Sequence, residues 1–194
     1  IMRAIPKMTV TAPCDADEVK RAVAASADWK DPIYIRLARY GKPVVSRPED
    51  KFEIGKAVLL RKAKEKADVL FISTGSMTAK AVAASEQLGT EGIDCSVLNV
   101  HTIKPLDAKA IVENVKKAKL IVTLEESSLI GGLGSACLEA LADNMPLKDV
   151  PRLVRMGLPD LFIHDYGTQE YLLDKYGLET AHIVKKVKGL VNRV

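Results

Sequence analysis

Apolar positions along the chain alternate between short β-branched runs and stripes spaced by three or four residues, the patterns of strands and amphipathic helices. Residues 8–11 make the first short run, which Ala12-Pro13 breaks. Asp15 then stands as a helix cap, with Glu18 as its capping-box partner and Val19, Ala22 and Val23 as the stripe to be buried. Residues 29–32 end that helix, and a β-branched and aromatic strand comes next over 33–37. This is one βαβ unit. Alone, a unit of about 40 residues cannot cover both faces of its strands, so it is expected to belong to a larger sheet and to be loosely attached to the rest of the chain.

Residues 40–52 are rich in Gly, Pro and charge and read as a linker. The pattern then becomes regular. An edge strand is expected over 56–61 and a buried one over 68–73, followed by a helix with Met77, Ala81, Ala84 and Leu88 inward. Another strand over 94–99 leads through Pro105-Leu106-Asp107 to a helix burying Ile111, Val112, Val115 and Ala118. A buried strand over 120–124 precedes Gly131-Gly132-Leu133-Gly134-Ser135, which opens a helix through Cys137, Leu138 and Leu141. A last strand spans 151–156, and Ile183, Val187, Leu190 and Val191 stripe a terminal helix. Strands alternating with helices predict a mainly parallel sheet covered on both faces.

Composition narrows the function classes. The 194 residues are 47% hydrophobic and 28% charged, the mix of a folded domain. A net charge of +4 is too mild to argue for nucleic acid. No apolar run approaches the roughly 18–20 residues of a membrane span, and the start has no secretory apolar region, so a cytoplasmic location is expected. Cys14, Cys95 and Cys137 lie far apart and read as core residues, while His101, His164 and His182 lack ligand spacing, so no metal site is expected from this chain alone. The opening on Ile1 reads as the mark of a piece of a longer protein.

Several motifs could carry chemistry. Gly131-Gly132-x-Gly134 after a strand could cradle an anion at a helix start, but the spacing fits a tight turn with close helix packing better than a phosphate loop. Glu125 and Glu126 end a strand where α/β sites form, yet adjacent residues point in different directions, which favours structural or interface carboxylates over an acid–base pair. His101 has no nucleophile nearby in sequence and reads as a hydrogen-bonded loop histidine. The lysines at 185, 186 and 188 read as solvated surface.

Five stretches occur together in an order that resembles the carboxyl-terminal section of transketolase, above all the smaller polypeptide of transketolases split over two chains. They are Ile1-Met2-Arg3-Ala4-Ile5-Pro6-x-Met8-Thr9-Val10-x-Ala12-Pro13, Pro32-Ile33-Tyr34-Ile35-Arg36-Leu37-x-Arg39, Ile103-Lys104-Pro105-Leu106-Asp107, Glu125-Glu126 before Gly131-Gly132-Leu133-Gly134-Ser135-Ala136, and Gly157-Leu158-Pro159-Asp160. Deoxyxylulose-phosphate synthase and the β subunit of 2-oxo-acid dehydrogenases share the domain pair, but the ending around Tyr171-Leu172-Leu173 and Tyr176-Gly177-Leu178 looks more like transketolase or the synthase.

The resemblance implies a three-layer α/β/α carboxyl-terminal domain over residues 53–194, a linker at 46–52, and at 1–45 the last βαβ of a pyrimidine-binding domain. It implies a parent enzyme that uses thiamine diphosphate and a divalent cation (Mg or Ca) to move a two-carbon ketol unit between sugar phosphates. The family's cofactor-binding and catalytic motifs have no match here, so this chain alone is expected to be inactive and to bind no cofactor. It would work with the amino-terminal section or subunit and within a homodimer. One site residue carries over: the family's strand-end arginine that binds sugar phosphate matches Arg39, whose planar fork suits a phosphate. A reading of another class is a non-catalytic assembly module that binds a regulatory anion at residues 131–134.

Overall fold

The computed structural model describes residues 1–39 and 43–192. Tyr40, Gly41 and Lys42, which open the stretch read as a linker, lie outside the described residues. The first strand, β1 (Thr9–Thr11), leads to α1 (Ala16–Ala27), and β2 (Ile33–Ile35) returns parallel to β1 with Val10 opposite Tyr34. Then come β3 (Val58–Arg61), β4 (Ala67–Ser73), α2 (Met77–Thr90), β5 (Cys95–Asn99), β6 (Thr102–Lys104) and α3 (Ala108–Val115). The chain continues through β7 (Ala118–Ser128), α4 (Leu133–Asn144), β8 (Arg152–Leu158), α5 (Gln169–Lys175) and α6 (Thr180–Val191).

The larger sheet has the order β3-β5-β4-β7-β8, parallel throughout except for β3 on its edge. Strand periodicity explains its two buried faces. In β4, Val69 and Phe71 join one core with α2, α5 and α6, while Leu70 and Ile72 join the other with α3 and α4. Each of these side chains is fully buried, worth about 1.5–3 kcal/mol apiece in area removed from water. The result is the expected three-layer α/β/α arrangement. The α2 stripe of Met77, Ala81, Ala84 and Leu88 is fully buried as its spacing predicts.

The first βαβ unit is not loosely attached. β6 pairs antiparallel with β1, so the small sheet β2-β1-β6 draws strands from both parts of the chain. Lys104 donates to the carbonyls of Arg3 and Ile5 at 2.9 and 2.7 Å, and Arg3 donates to the Gly131 carbonyl at 2.9 Å. Under α1, Glu18 is buried and accepts from Asn99 Nδ2 at 2.8 Å and from the Cys14 N–H at 2.6 Å. Burial raises its pKa above the usual carboxylate range, against the pull of these donors. Glu18 therefore reaches Cys14, one residue before the expected capping-box partner, because its other oxygen is drawn toward β5. Two expected core positions lie outside the core: Val23 is half exposed because α1 packs through Glu18 and Ala22, and Leu138 faces outward on α4. Ala118 is buried as expected but begins β7 rather than ending a helix.

Candidate functional site, a cleft at the carboxyl edge of the sheet

The chain leaves β2 at Arg36, whose N–H donates to the Thr11 carbonyl at 2.8 Å, prolonging the β1–β2 pairing by one bond. Its guanidinium crosses to the larger sheet and donates to the Glu126 carbonyl at 2.7 Å. The space beneath is a cleft of about 920 Å³. One wall is Arg36, Leu37, Ala38 and Arg39, and the other is built from Ser76, Glu126 and the start of α5. Because β4, β7 and β8 are parallel, their carboxyl ends open together here, the usual place for a ligand in an open α/β sheet.

The strand pleat separates the two neighbouring glutamates. Glu125 is buried and accepts from the N–H groups of Leu133 and Gly134 at 2.8 and 2.9 Å and from Ser127 Oγ at 2.7 Å. It therefore fills the amino end of α4 with an anion of the protein's own. A Cβ at Gly132 would lie 1.7 Å from Glu125 Oε2, so the glycine is needed for this close approach. The tight-packing reading of Gly131-Gly132-x-Gly134 holds, and the place of an external anion at Leu133 and Gly134 is already taken.

Glu126 turns the other way, into the cleft. Gln169 Nε2 donates to its two oxygens at 2.6 Å each, and the Ser76 hydroxyl donates to Oε2. Gly75, at φ +57°, makes the turn that brings Ser76 there, and its N–H donates to the Ala12 carbonyl at 3.0 Å. Three separate parts of the chain thus meet on Glu126, at its carboxylate or its backbone carbonyl. The sequence alone marks Glu126 only as a structural or interface group and does not single out Arg36, Ser76 or Gln169 as site residues. Arg36 stands three residues before Arg39 and could have been noticed, whereas Gln169 depends on a seven-residue helix whose short pattern gives no clear period.

Arg39, the one site residue carried over by resemblance, lies on the cleft wall and is exposed. With Arg36 it offers guanidinium groups to an oxyanion, while Glu126, Gln169 and Thr168 offer partners for hydroxyl groups. The described residues of the lining hold no histidine or cysteine; its titratable groups are the carboxylates of Glu126 and Glu170 and the guanidinium groups of Arg36 and Arg39. His101 lies elsewhere, fully buried, and the free Cys14, Cys95 and Cys137 are buried too. Among the described residues no three His, Cys, Asp or Glu side chains are placed to hold a metal ion. No helix among them is long and apolar enough to cross a membrane.

Fold and cleft together define an α/β domain with an open cleft at the carboxyl edge of a mainly parallel sheet. Residues 55–183 match the family described as Transketolase, C-terminal domain, and the chain belongs to that family. It is 42% identical over 193 residues to the 6-deoxy-6-sulfo-D-fructose transketolase subunit SqwH of Clostridium sp. (strain MSTE9), covering 100% of this chain and 58% of that one. A 1-deoxy-D-xylulose-5-phosphate synthase of Synechococcus sp. (strain WH7803) is 32% identical over 196 residues, 99% of this chain but 29% of the synthase. Among solved structures, a split gene transketolase, described as an inactive beta4 tetramer, superposes with a TM-score of 0.88 at 38% identity, covering 98% of this chain and 60% of that one. The chain thus spans a little over half the length of these two transketolase relatives.

Proposed function

We propose that this chain is the carboxyl-terminal part of a thiamine-diphosphate-dependent transketolase, in which Arg39 grips the anionic end of a sugar substrate. The observation that carries the reading is the placement of Arg39 and Arg36 on the wall of a cleft at the carboxyl edge of the sheet. Thiamine diphosphate and its divalent cation, which supply the ketol-transfer chemistry, belong in this proposal to the amino-terminal section or subunit. This chain holds the far end of the sugar and shields it from water. In this proposal the exposed Phe162 (88%) and Tyr166 (97%), in the segment whose Ile163 lines the cleft, belong to the face that the amino-terminal section covers. A homodimer of the assembled enzyme in the cytoplasm completes the proposal.

The substrate's terminal oxyanion is a phosphate or, as the name of the Clostridium relative suggests, a sulfonate. Both are tetrahedral groups that a guanidinium fork can bind through two charge-assisted hydrogen bonds. Transketolase is preferred to the synthase because the Clostridium transketolase subunit is 42% identical and matches over 58% of its length, whereas synthases are 32–38% identical and match over less than a third of theirs. In the assembled enzyme, Arg39→Ala removes a contact worth on the order of 1.5–3 kcal/mol. The expected result is a loss of roughly 10- to 150-fold in kcat/KM for phosphorylated or sulfonated sugars, with little change for neutral ones. Arg39→Lys should restore part of it. An equal loss for charged and neutral sugars would assign Arg39 to folding or assembly instead.

A further inference from the structure

We infer that Glu126 is a specificity-determining residue of the cleft: its carboxylate accepts from hydroxyl groups beside the substrate's oxyanion and keeps a second oxyanion away. The inference rests on the reading of Arg39 as the grip on that oxyanion. Glu126 stands half-buried near the end of β7, with its backbone carbonyl held by Arg36 at 2.7 Å. The carboxylate is held separately. Gln169 Nε2 donates to both of its oxygens at 2.6 Å, and the Ser76 hydroxyl donates to Oε2.

These donors are neutral side chains, and a carbonyl oxygen would serve them as an acceptor. A carboxylate adds a negative charge and about four acceptor positions, one more than the three bonds it receives here. Charge divides the cleft in the same sense. Arg36 and Arg39 line one wall, whereas Glu126 and Glu170, at the start of α5, line the other. Because Arg36 bonds the backbone of Glu126 itself, guanidinium and carboxylate stand about a side chain's length apart, within the span of a three-carbon ligand.

A ligand with one oxyanion can set it against the guanidinium groups and turn a neighbouring hydroxyl toward Glu126, donating to the remaining acceptor position. A second oxyanion in place of that hydroxyl meets a carboxylate in a partly enclosed space, where like charges are poorly screened. The ligand class is therefore a phosphate or sulfonate next to a hydroxyl-bearing carbon, and not a bisphosphate on adjacent carbons. A strand position braced by Gln169 and Ser76 keeps the acceptor fixed, as selection by a hydrogen bond requires.

The test uses the assembled enzyme and three unreactive probes as competitors of its sugar substrate. They are glycerol 3-phosphate, propyl phosphate, which lacks the hydroxyl groups, and 2,3-bisphosphoglycerate, which carries a second phosphate beside the first. The wild type is expected to bind glycerol 3-phosphate on the order of tenfold more tightly than propyl phosphate. Glu126→Gln should cut that preference several-fold and tighten 2,3-bisphosphoglycerate by about tenfold, a gain that a folding defect does not produce. Glu126→Asp keeps the charge and should leave the bisphosphate bound as weakly as in the wild type.

A preference unchanged by Glu126→Gln, no gain for the bisphosphate in that variant, an equal gain in Glu126→Asp, or no competition by glycerol 3-phosphate would each overturn the proposal. Arg39→Ala tests its premise separately and should weaken all three probes. If it does and Glu126→Gln changes neither preference nor bisphosphate binding, only the role of the glutamate falls. If Arg39→Ala leaves the probes unaffected, the reading of the arginine falls and takes this one with it.

Discussion

His101 is a titratable ring that the fold keeps neutral. It stacks on Phe52 with ring centroids 4.1 Å apart, Nδ1 lies 2.9 Å from Thr102 Oγ1, and Nε2 has no hydrogen-bond partner among the described residues. Burial, helped by the positive charge of Arg21, pushes its pKa down from 6.5 to about 4. Between those values the unfolded chain binds a proton that the folded chain refuses, so stability falls as pH falls through this window. The full loss is on the order of 3 kcal/mol. Urea midpoints measured from pH 7 to pH 4 should therefore decline more steeply for the wild type than for His101→Gln, and identical slopes would remove His101 from this role. The sequence suggests a hydrogen-bonded loop histidine, and the hydrogen bond is there. Its burial was not legible, because the covering ring comes from Phe52 and no local pattern records that approach.

At the scale of elements, α4 shows how strand and helix specify each other. Glu125 ends the buried part of β7 and satisfies the Leu133 and Gly134 N–H groups that a helix start leaves without partners. Glu125→Ala is expected to cost about 1–3 kcal/mol by leaving those donors unsatisfied, and Gly132→Ala a similar amount by pushing the carboxylate away. Since both break one contact, the double variant should lose clearly less than the sum, as denaturant titration can show. Full additivity would mean that Gly132 is required for another reason. The sequence announces this corner through Glu125-Glu126 and the glycines, but not which glutamate serves the helix; the pleat decides that. Long periodic elements such as α2 were legible because four apolar residues at helical spacing suffice to define a face. β6 was not, because three residues carry no period and its partner strand lies about 90 residues earlier.

Across the whole molecule, the pairing of β1 with β6 makes one body of segments that the sequence pattern separates, and the cleft opens where they meet. Composition and periodicity are enough for the layers of the larger sheet. They could not supply the joint, which depends on a short antiparallel contact and on buried polar groups around Glu18 and Asn99 that look like solvated positions in sequence. In the proposed role the chain contributes a substrate-holding wall and leaves the cofactor to its complement. The most direct test of that role is ketol transfer measured while this chain is titrated into the amino-terminal section in the presence of thiamine diphosphate and magnesium. Each part alone should be inactive, and the rate should climb to a plateau at one chain per amino-terminal section. Turnover by the 194-residue chain alone, or no gain in rate on mixing, would contradict it.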